Sequence, residues 1–478
     1  MTQSKKKGKY ETYGGYKLDV SNSNIVDVVD LSDAKVTKEW FYTNYINLRK
    51  PAVLKNSEKK PEFLRMDINN FKISNLLNTI TDSDQSEKLQ VEEINNGGFG
   101  SGKRRLKMSL TDFVHRIRNG ESLYLTTQYE ENESYLGTLD ELNDDSEIDD
   151  DDEEVGEGFG KFEGFDSESS VDNEFADIDE KDDYDENDQE LEQALANEIG
   201  SSDALMIYQP PLDRLIPSKS KLLPPVISTL FEPLVPQQIN LWCGRTPSQT
   251  HQLQVVKKSG HIVDVNRGLP VPNATSTGLH HDHADNLYIL VQGQKRFTLF
   301  SPDFANKLYT VGDIRHIYDT GVIDYIKNDK APTWRNVRAD GTCISTDNDD
   351  SFQDKVDKID DNEEKSDPPS FCEIPPVLLH LNEVEGEERL LLEKYCEEKF
   401  PEFSPIKYSA AQVALSDGDL LYLPAGWFHE VTSFGDEANS NIHTAINYWF
   451  IPPDGPSIEK PYTDHSYRIE FDEAFEDL

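Results

Sequence analysis

The chain runs to 478 residues, with 47 Lys and Arg against 91 Asp and Glu, a formal net charge of −44. That surplus excludes a protein held to nucleic acid by its overall field, since phosphate binding needs cationic surface. A mean hydropathy of −0.67 and the lack of any long apolar run exclude a transmembrane span.

The opening MTQSKKKGKYETYGG is basic and has no apolar segment, so no secretory signal is expected. The first element expected lies in 36–56, a helix followed by a strand. Trp40, Phe41, Tyr45 and Leu48 recur near helical spacing, and Pro51 opens an extended Ala-Val-Leu piece. Lys103, Arg104, Arg105 and Lys107 form one local basic cluster. SLTDFVHRIRNG at 109–120 reads as a short helix with a Ser N-cap and a terminal Gly, and SLYLTTQY at 122–129 as a strand.

The character then changes. Residues 140–190 carry 26 acidic side chains against Lys161 and Lys181, a net of −24, punctuated by Phe159, Phe162, Phe165 and Phe175. So little aliphatic surface cannot offset the entropy of ordering, and the stretch is expected to be disordered. Residues 203–245 mix Pro-rich loop, a helix and a strand at QINLWCG. From 275 strands dominate. NLYILV and KRFTLF flank Gln292-Gly293-Gln294 and are expected to form a hairpin. A second acidic insertion spans 340–369, its core 346–367 holding 10 acidic residues and three lysines. EVEGEERLLLEKYCEEKF at 383–400 reads as a helix with a Leu390/Leu391/Tyr395 stripe. QVAL, DLLYLP, FHEVTS and INYWFIP follow as short strands with regular turns. The fold class expected is mainly β with flanking helices, a double-sheet jelly roll interrupted by acidic disordered insertions. Cys243, Cys343, Cys372 and Cys396 are far apart and form no CxxC pair, so they read as reduced thiols of a cytoplasmic or nuclear protein.

The chemistry concentrates in Thr277-Gly-Leu-His280-His281-Asp282-His283-Ala-Asp285-Asn286. On an extended chain His280 and Asp282 share one face, His281 and His283 the other. An imidazole and a carboxylate two residues apart offer two ligands to one metal. His429, just after the tight Pro-Ala-Gly turn of LYLPAGWFHEVTS, is the candidate third. Two His and one carboxylate make the facial triad of non-heme Fe(II) oxygenases, which leaves three positions open. Lys295, facing into a barrel, needs an anion, which the far carboxylate of a dicarboxylate co-substrate supplies. Thr277 could donate its hydroxyl to the same group. Asp285 reads as a strand-end residue or a partner of a ligand.

TGLHHDHADNLYILVQGQKRFTLFSP (277–302) and SDGDLLYLPAGWFHEVTS (416–433) resemble the JmjC (cupin-like) 2-oxoglutarate oxygenases, in particular the small group with little beyond the catalytic domain. INYWF (446–450), NLWCG (240–244) and RKPAVLKN (49–56) extend the resemblance more faintly. It implies a double-stranded β-helix and an Fe(II)- and 2-oxoglutarate-dependent dioxygenase using O₂. His280, Asp282 and His429 match the iron ligands. Lys295 matches the base that pairs with the distal carboxylate of 2-oxoglutarate, Thr277 its hydroxyl partner, and Tyr124 a tyrosine on the same carboxylate. Asn286 and Asn447 match amides near the metal-bound end. The long stretch between NLWCG and TGLHHD, and the long stretch between Asp282 and His429, depart from compact members.

The expected organisation is an N-terminal tail at 1–35, an N-terminal helical and strand part of the JmjC module at 36–130 and the acidic insertion at 131–200. The catalytic jelly roll follows at 201–455, then a C-terminal tail at 456–478. The substrate expected first is a protein side chain. Histone lysine demethylation and hydroxylation of a modified tRNA nucleoside are the alternatives, the net charge weighing against nucleic acid. No membrane partner is expected, and a homodimer is compatible with the resemblance.

Overall fold

The computed structural model describes residues 13–20, 24–56, 64–80, 89–94, 105–128, 207–215, 222–247, 253–344, 367–435 and 440–475. The 131–200 insertion, with its four phenylalanines, lies outside the described residues, as does most of the 340–369 insertion. So does the whole second compact unit, Leu142–Ile199.

Seventeen strands are described. In chain order they are β1 (Asp27–Asp30), β2 (Ala52–Lys55), β3 (Leu89–Glu93), β4 (Leu106–Met108), β5 (Leu123–Leu125) and β6 (Pro236–Arg245). β7 (Val255–Lys258), β8 (His261–Val265), β9 (Ala274–Ser276), β10 (Asp285–Gln292), β11 (Gln294–Phe300), β12 (Ile314–Ile317) and β13 (Ile323–Tyr325) follow. The last are β14 (Ala411–Leu415), β15 (Leu420–Leu423), β16 (Phe428–Phe434) and β17 (Ile442–Phe450). A nine-stranded sheet runs β1-β2-β15-β10-β17-β6-β5-β3-β4 and a four-stranded sheet β14-β11-β16-β9. All pairings are antiparallel except β1 with β2. This is the jelly roll expected.

The side chains between the sheets, Tyr288, Leu290, Phe297, Leu299, Val413, Val431 and Ala445, share one apolar cluster. The alternate residues of β10, Leu287, Ile289 and Val291, belong to a second cluster with Phe41, Phe113 and Phe231. The large sheet is therefore covered on both faces, which is why β10 reads as one continuous apolar run.

One pairing differs from expectation. β10 and β11 do not form a hairpin: β10 pairs with β15 and β17, β11 with β14 and β16. Gly293 carries the chain from one sheet to the other at φ +104°, and a Cβ there would lie 2.8 Å from that of His443. A corner and a hairpin use the same turn residues, and only the partners distinguish them.

The helices match more closely. Lys38–Phe41 is α-helical and continues as a π-turn over Tyr42–Ile46. In Leu110–Arg118 the Ser109 side chain caps by accepting from Asp112 N–H at 3.1 Å. In Gly386–Lys399 the buried residues are Leu392, Tyr395 and Cys396, and Leu391 packs partly against the core; Leu390 of the expected stripe is instead 65% exposed.

The described parts of the two expected tails are packed. Tyr13 and Leu18 are buried and β1 joins the large sheet. At the other end Tyr462 accepts from Val235 N–H at 2.7 Å, and Phe471 is buried on the helix Ser466–Phe475. All four cysteines are free thiols, and no described helix is long and apolar enough to cross a membrane.

Candidate metal centre

Residues 277–283 leave β9 without forming the extended strand expected. They are tied to β16 by Thr277 N–H donating to Val431 C=O at 3.2 Å and by a bridge in which His280 N–H donates to His429 C=O at 3.1 Å and His429 N–H to His280 C=O at 2.7 Å. One ligand atom each of His280, Asp282 and His429 lies within 4.8 Å of the others. His281 and His283 turn away: His281 Nε2 meets Tyr325 OH at 2.5 Å and His283 Nε2 donates to Ile323 C=O at 2.9 Å.

The turn before His429 is held on the other ligand segment. Gly426, at φ +73°, donates its N–H to the Asp282 carbonyl at 2.9 Å, and a Cβ there would come within 1.7 Å of the Gly321 carbonyl oxygen. Behind β16, Glu430 accepts from Ser276 at 2.6 Å and meets His380 Nε2 at 3.1 Å, all three side chains fully buried.

Both ligand imidazoles have a fixed tautomer. Nδ1 of His280 lies 3.0 Å from Gly278 C=O and Nδ1 of His429 lies 3.0 Å from Trp427 C=O. A carbonyl only accepts, so each Nδ1 carries the hydrogen and each Nε2 keeps its lone pair. His429 Nε2 stands 3.7 Å from Asp282 Oδ2. Burial, and next the facing His429, lower the His280 pKa to about 4, so the ring is uncharged at neutral pH. Two neutral imidazole nitrogens and one carboxylate oxygen fit a hard-to-borderline divalent ion such as Fe(II).

An amide chain leads away from the carboxylate. Asn286 Nδ2 donates to Asp282 Oδ2 at 3.4 Å, and Asn447 Nδ2 to Asn286 Oδ1 at 3.2 Å. Asn447 Oδ1 accepts from Asn240 Nδ2 at 3.1 Å and Trp242 Nε1 at 2.8 Å. Two donors on one oxygen leave the Asn447 amide no freedom to flip. Asn286 and Asn447 thus converge on the metal end. Asn240 and Trp242, from β6, are partners that sequence spacing did not single out.

Lys295 lies deep between the sheets, 2% exposed. Its Nζ donates to Ser433 Oγ at 2.6 Å and stands 5.4 Å from the centroid of the Tyr124 ring. No carboxylate pairs with it among the described residues. Tyr124 lies over Gly244, where a Cβ would sit 2.3 Å from the ring. Burial lowers the Lys295 pKa to about 7. A buried, partly unpaired ammonium is a fit for a carboxylate. Thr277 is placed differently from the expectation. Its hydroxyl accepts from Val431 N–H at 3.0 Å and donates to Gly278 C=O at 2.8 Å, closing the end of β9 on β16.

Asp285, a strand-end residue as expected, is a fully buried counter-ion. It takes both terminal nitrogens of Arg49, the Tyr422 hydroxyl at 2.7 Å and Ala425 N–H at 3.0 Å. Nothing local in LRKP marks Arg49 for this position. Of the basic cluster at 103–107, Lys103 and Arg104 lie outside the described residues, and Arg105 is held in an ion pair with Glu92 at 3.0 Å.

Comparison with known proteins gives a consistent picture. A family model described as a cupin-like domain matches residues 37–455. A curated relative from Schizosaccharomyces pombe, "JmjC domain-containing protein 4", is 25% identical over an alignment covering 95% of this chain and 90% of that protein.

Proposed function

The chain belongs to the cupin-like domain family, and on that premise we propose that it is an Fe(II)- and 2-oxoglutarate-dependent dioxygenase that hydroxylates a protein side chain. The observation that carries the reading is the convergence of His280, Asp282 and His429, with both Nδ1 positions committed to backbone carbonyls. Bound there, Fe(II) and 2-oxoglutarate supply the oxidation in which one atom of O₂ enters a substrate C–H bond while the keto acid becomes succinate and CO₂.

The chain's own groups do the rest. Gly278 and Trp427 carbonyls orient the two imidazoles, and Asn286, held by Asn447, orients the Asp282 carboxylate. Lys295 holds the far carboxylate of the co-substrate, beside Tyr124. Phe371 stacks on the His280 ring, centroids 4.8 Å apart.

Succinate release from the iron-loaded protein under O₂ tests the reading. It is expected in the wild type and absent from His280→Ala and Lys295→Ala. If the wild type binds neither iron nor 2-oxoglutarate, the chain is a cupin-fold binding protein instead. The same centre would also serve N-methyl oxidation, whose carbinol collapses to formaldehyde. A mass gain of one oxygen on a protein without formaldehyde supports side-chain hydroxylation, and formaldehyde supports demethylation.

Co-substrate affinity is expected to depend on pH. Lys295 faces Tyr124, Cys243 and His443. Burial raises the first two pKa values and lowers that of His443, so none is ionised near neutrality. A lysine of pKa about 7 is half neutral at pH 7 and largely neutral at pH 8. Binding a carboxylate favours the charged form, so Kd should rise toward about tenfold per pH unit above pH 7, with about one proton taken up. Titrations at pH 8 in buffers of different ionisation enthalpy would read the proton directly. A flat Kd from pH 6.5 to 8.5 would contradict it.

A further inference from the structure

We propose that Glu430, Ser276 and His380 are positioning residues that act through the backbone of Gly278 to hold the imidazole of His280. This rests on the reading of His280, Asp282 and His429 as metal ligands. Side chains alternate along β16. Val431 lies in the apolar cluster between the sheets and Ser433 meets the buried Lys295, so His429 shares their inward face. Glu430 and Thr432 face outward, behind the ligand strand, yet Glu430 is fully buried. A carboxylate is costly there unless it is paired and hydrogen-bonded.

Its partners divide into two groups. Glu430 Oε2 accepts from His380 Nε2 at 3.1 Å, and His380 is fully buried between two short 3-10 turns of the segment that covers this face. Arg296 of β11 pairs with Glu383 of the same segment and donates to Thr432 Oγ1 at 3.3 Å. These contacts pin the covering segment to the sheet. Ser276, the last residue of β9, leads the other way. Its hydroxyl donates to Glu430 Oε1 at 2.6 Å, so its oxygen is left to accept, and Gly278 N–H donates to it at 3.1 Å. Gly278 sits at φ +76°, in the left-handed region, where glycine gains no steric hold of its own. Fixed by Ser276, it turns its carbonyl to His280 Nδ1 at 3.0 Å. The path runs from carboxylate to hydroxyl to the Gly278 backbone to the ligand ring, and the negative end polarises the bonds along it.

Of the three proposed ligands, His280 is the one that needs this support. His429 lies on a regular strand and its Nδ1 meets Trp427 C=O, while Asp282 is held by Asn286. His280 lies on irregular backbone between β9 and β10, where Gly278 C=O is the acceptor its Nδ1 meets. Thr298 of β11 is the comparison on the same outer face. It stands opposite Glu430, and its buried hydroxyl has no partner among the described residues, so it lies off the path.

The test is Co(II) binding to the full chain without O₂, read as affinity and as the visible absorption of the bound ion, whose bands report ligand geometry. Ser276→Ala is expected to weaken Co(II) about tenfold, the lower end for disturbing an outer partner of a ligand, and to alter the bands. Ser276→Thr, which keeps the hydroxyl, should restore both. Glu430→Gln keeps an acceptor for Ser276 without the charge and should weaken Co(II) about threefold, since polarisation supplies only part of each bond. Thr298→Val should change neither affinity nor bands. A purely structural role lowers the melting temperature and leaves the bound ion as it was. Ser276→Ala with wild-type affinity and bands therefore overturns the proposal, as does an equal loss in Ser276→Thr or in Thr298→Val. Should Ser276→Ala fail to fold, Glu430→Gln decides by the same readout, and wild-type affinity and bands in it overturn the proposal. Absence of Co(II) binding by the wild type overturns the metal-ligand reading, and the proposal with it.

Discussion

His280→Ala and His429→Ala proteins are expected to retain no stoichiometric iron and to release succinate more than about 100-fold more slowly, beyond the loss that follows from disturbing only an outer partner of a metal ligand. Asn286→Ala is the graded comparison. It leaves the three ligand atoms in place but frees the Asp282 carboxylate, so iron affinity or turnover should fall by about 10–100-fold. The measurement is metal content after anaerobic reconstitution, with a melting curve alongside. Reconstitution matters because Zn²⁺, Ni²⁺ or Cu²⁺ competes for a site of imidazole and carboxylate donors. The fold should tolerate both histidine variants, because the backbone bridge between residues 280 and 429 uses no side chain. Iron retained at full stoichiometry by His429→Ala would show that these three groups are not the metal centre.

The candidate metal site was legible because its signal is local. His280 and Asp282 stand two residues apart, and the Pro-Ala-Gly turn announces His429 by its own chemistry. The strands were legible for the same reason: β14 to β17 are short apolar runs between turn residues. What escaped is non-local. Gly293 signals a reversal but not which strands pair after it, so a sheet-to-sheet corner read as a hairpin. Ser276, His380 and Glu430 come from three segments far apart in sequence, and only the fold assembles them. Thr277, three residues before a ligand, was the nearest hydroxyl in sequence, and its spacing said nothing of the backbone groups that occupy it. Tyr13 and β1 escaped because their apolar positions are few and become a core only against elements supplied by the rest of the chain.

Asp285→Asn and Arg49→Met are each expected to destabilise the protein by about 3–5 kcal/mol, the cost of leaving one member of a buried ion pair without its partner. The carboxylate of Asp285 is fully occupied by Arg49, Tyr422 and Ala425 N–H. Arg49 also donates Nε to Thr320 C=O at 2.8 Å, while its own carbonyl accepts from Trp427 Nε1 at 3.0 Å and Tyr13 OH at 3.4 Å. Ala425 and Trp427 are two residues of the turn that delivers His429. The pair therefore holds His429, the proposed third ligand, from beneath, and it ties Tyr13 to the same point. Urea unfolding measures the stability, and iron affinity of the folded fraction measures the positioning. Iron affinity should fall in Arg49→Met although no ligand is changed. The double variant Arg49→Met/Asp285→Asn removes both charges at once, so it should be less destabilised than the sum of the singles, and by more than about 1 kcal/mol. Strict additivity would mean that the two side chains contribute through their separate packing. In that case the charge pair would not be what fixes the turn, and the loss of iron affinity in Arg49→Met should vanish with it.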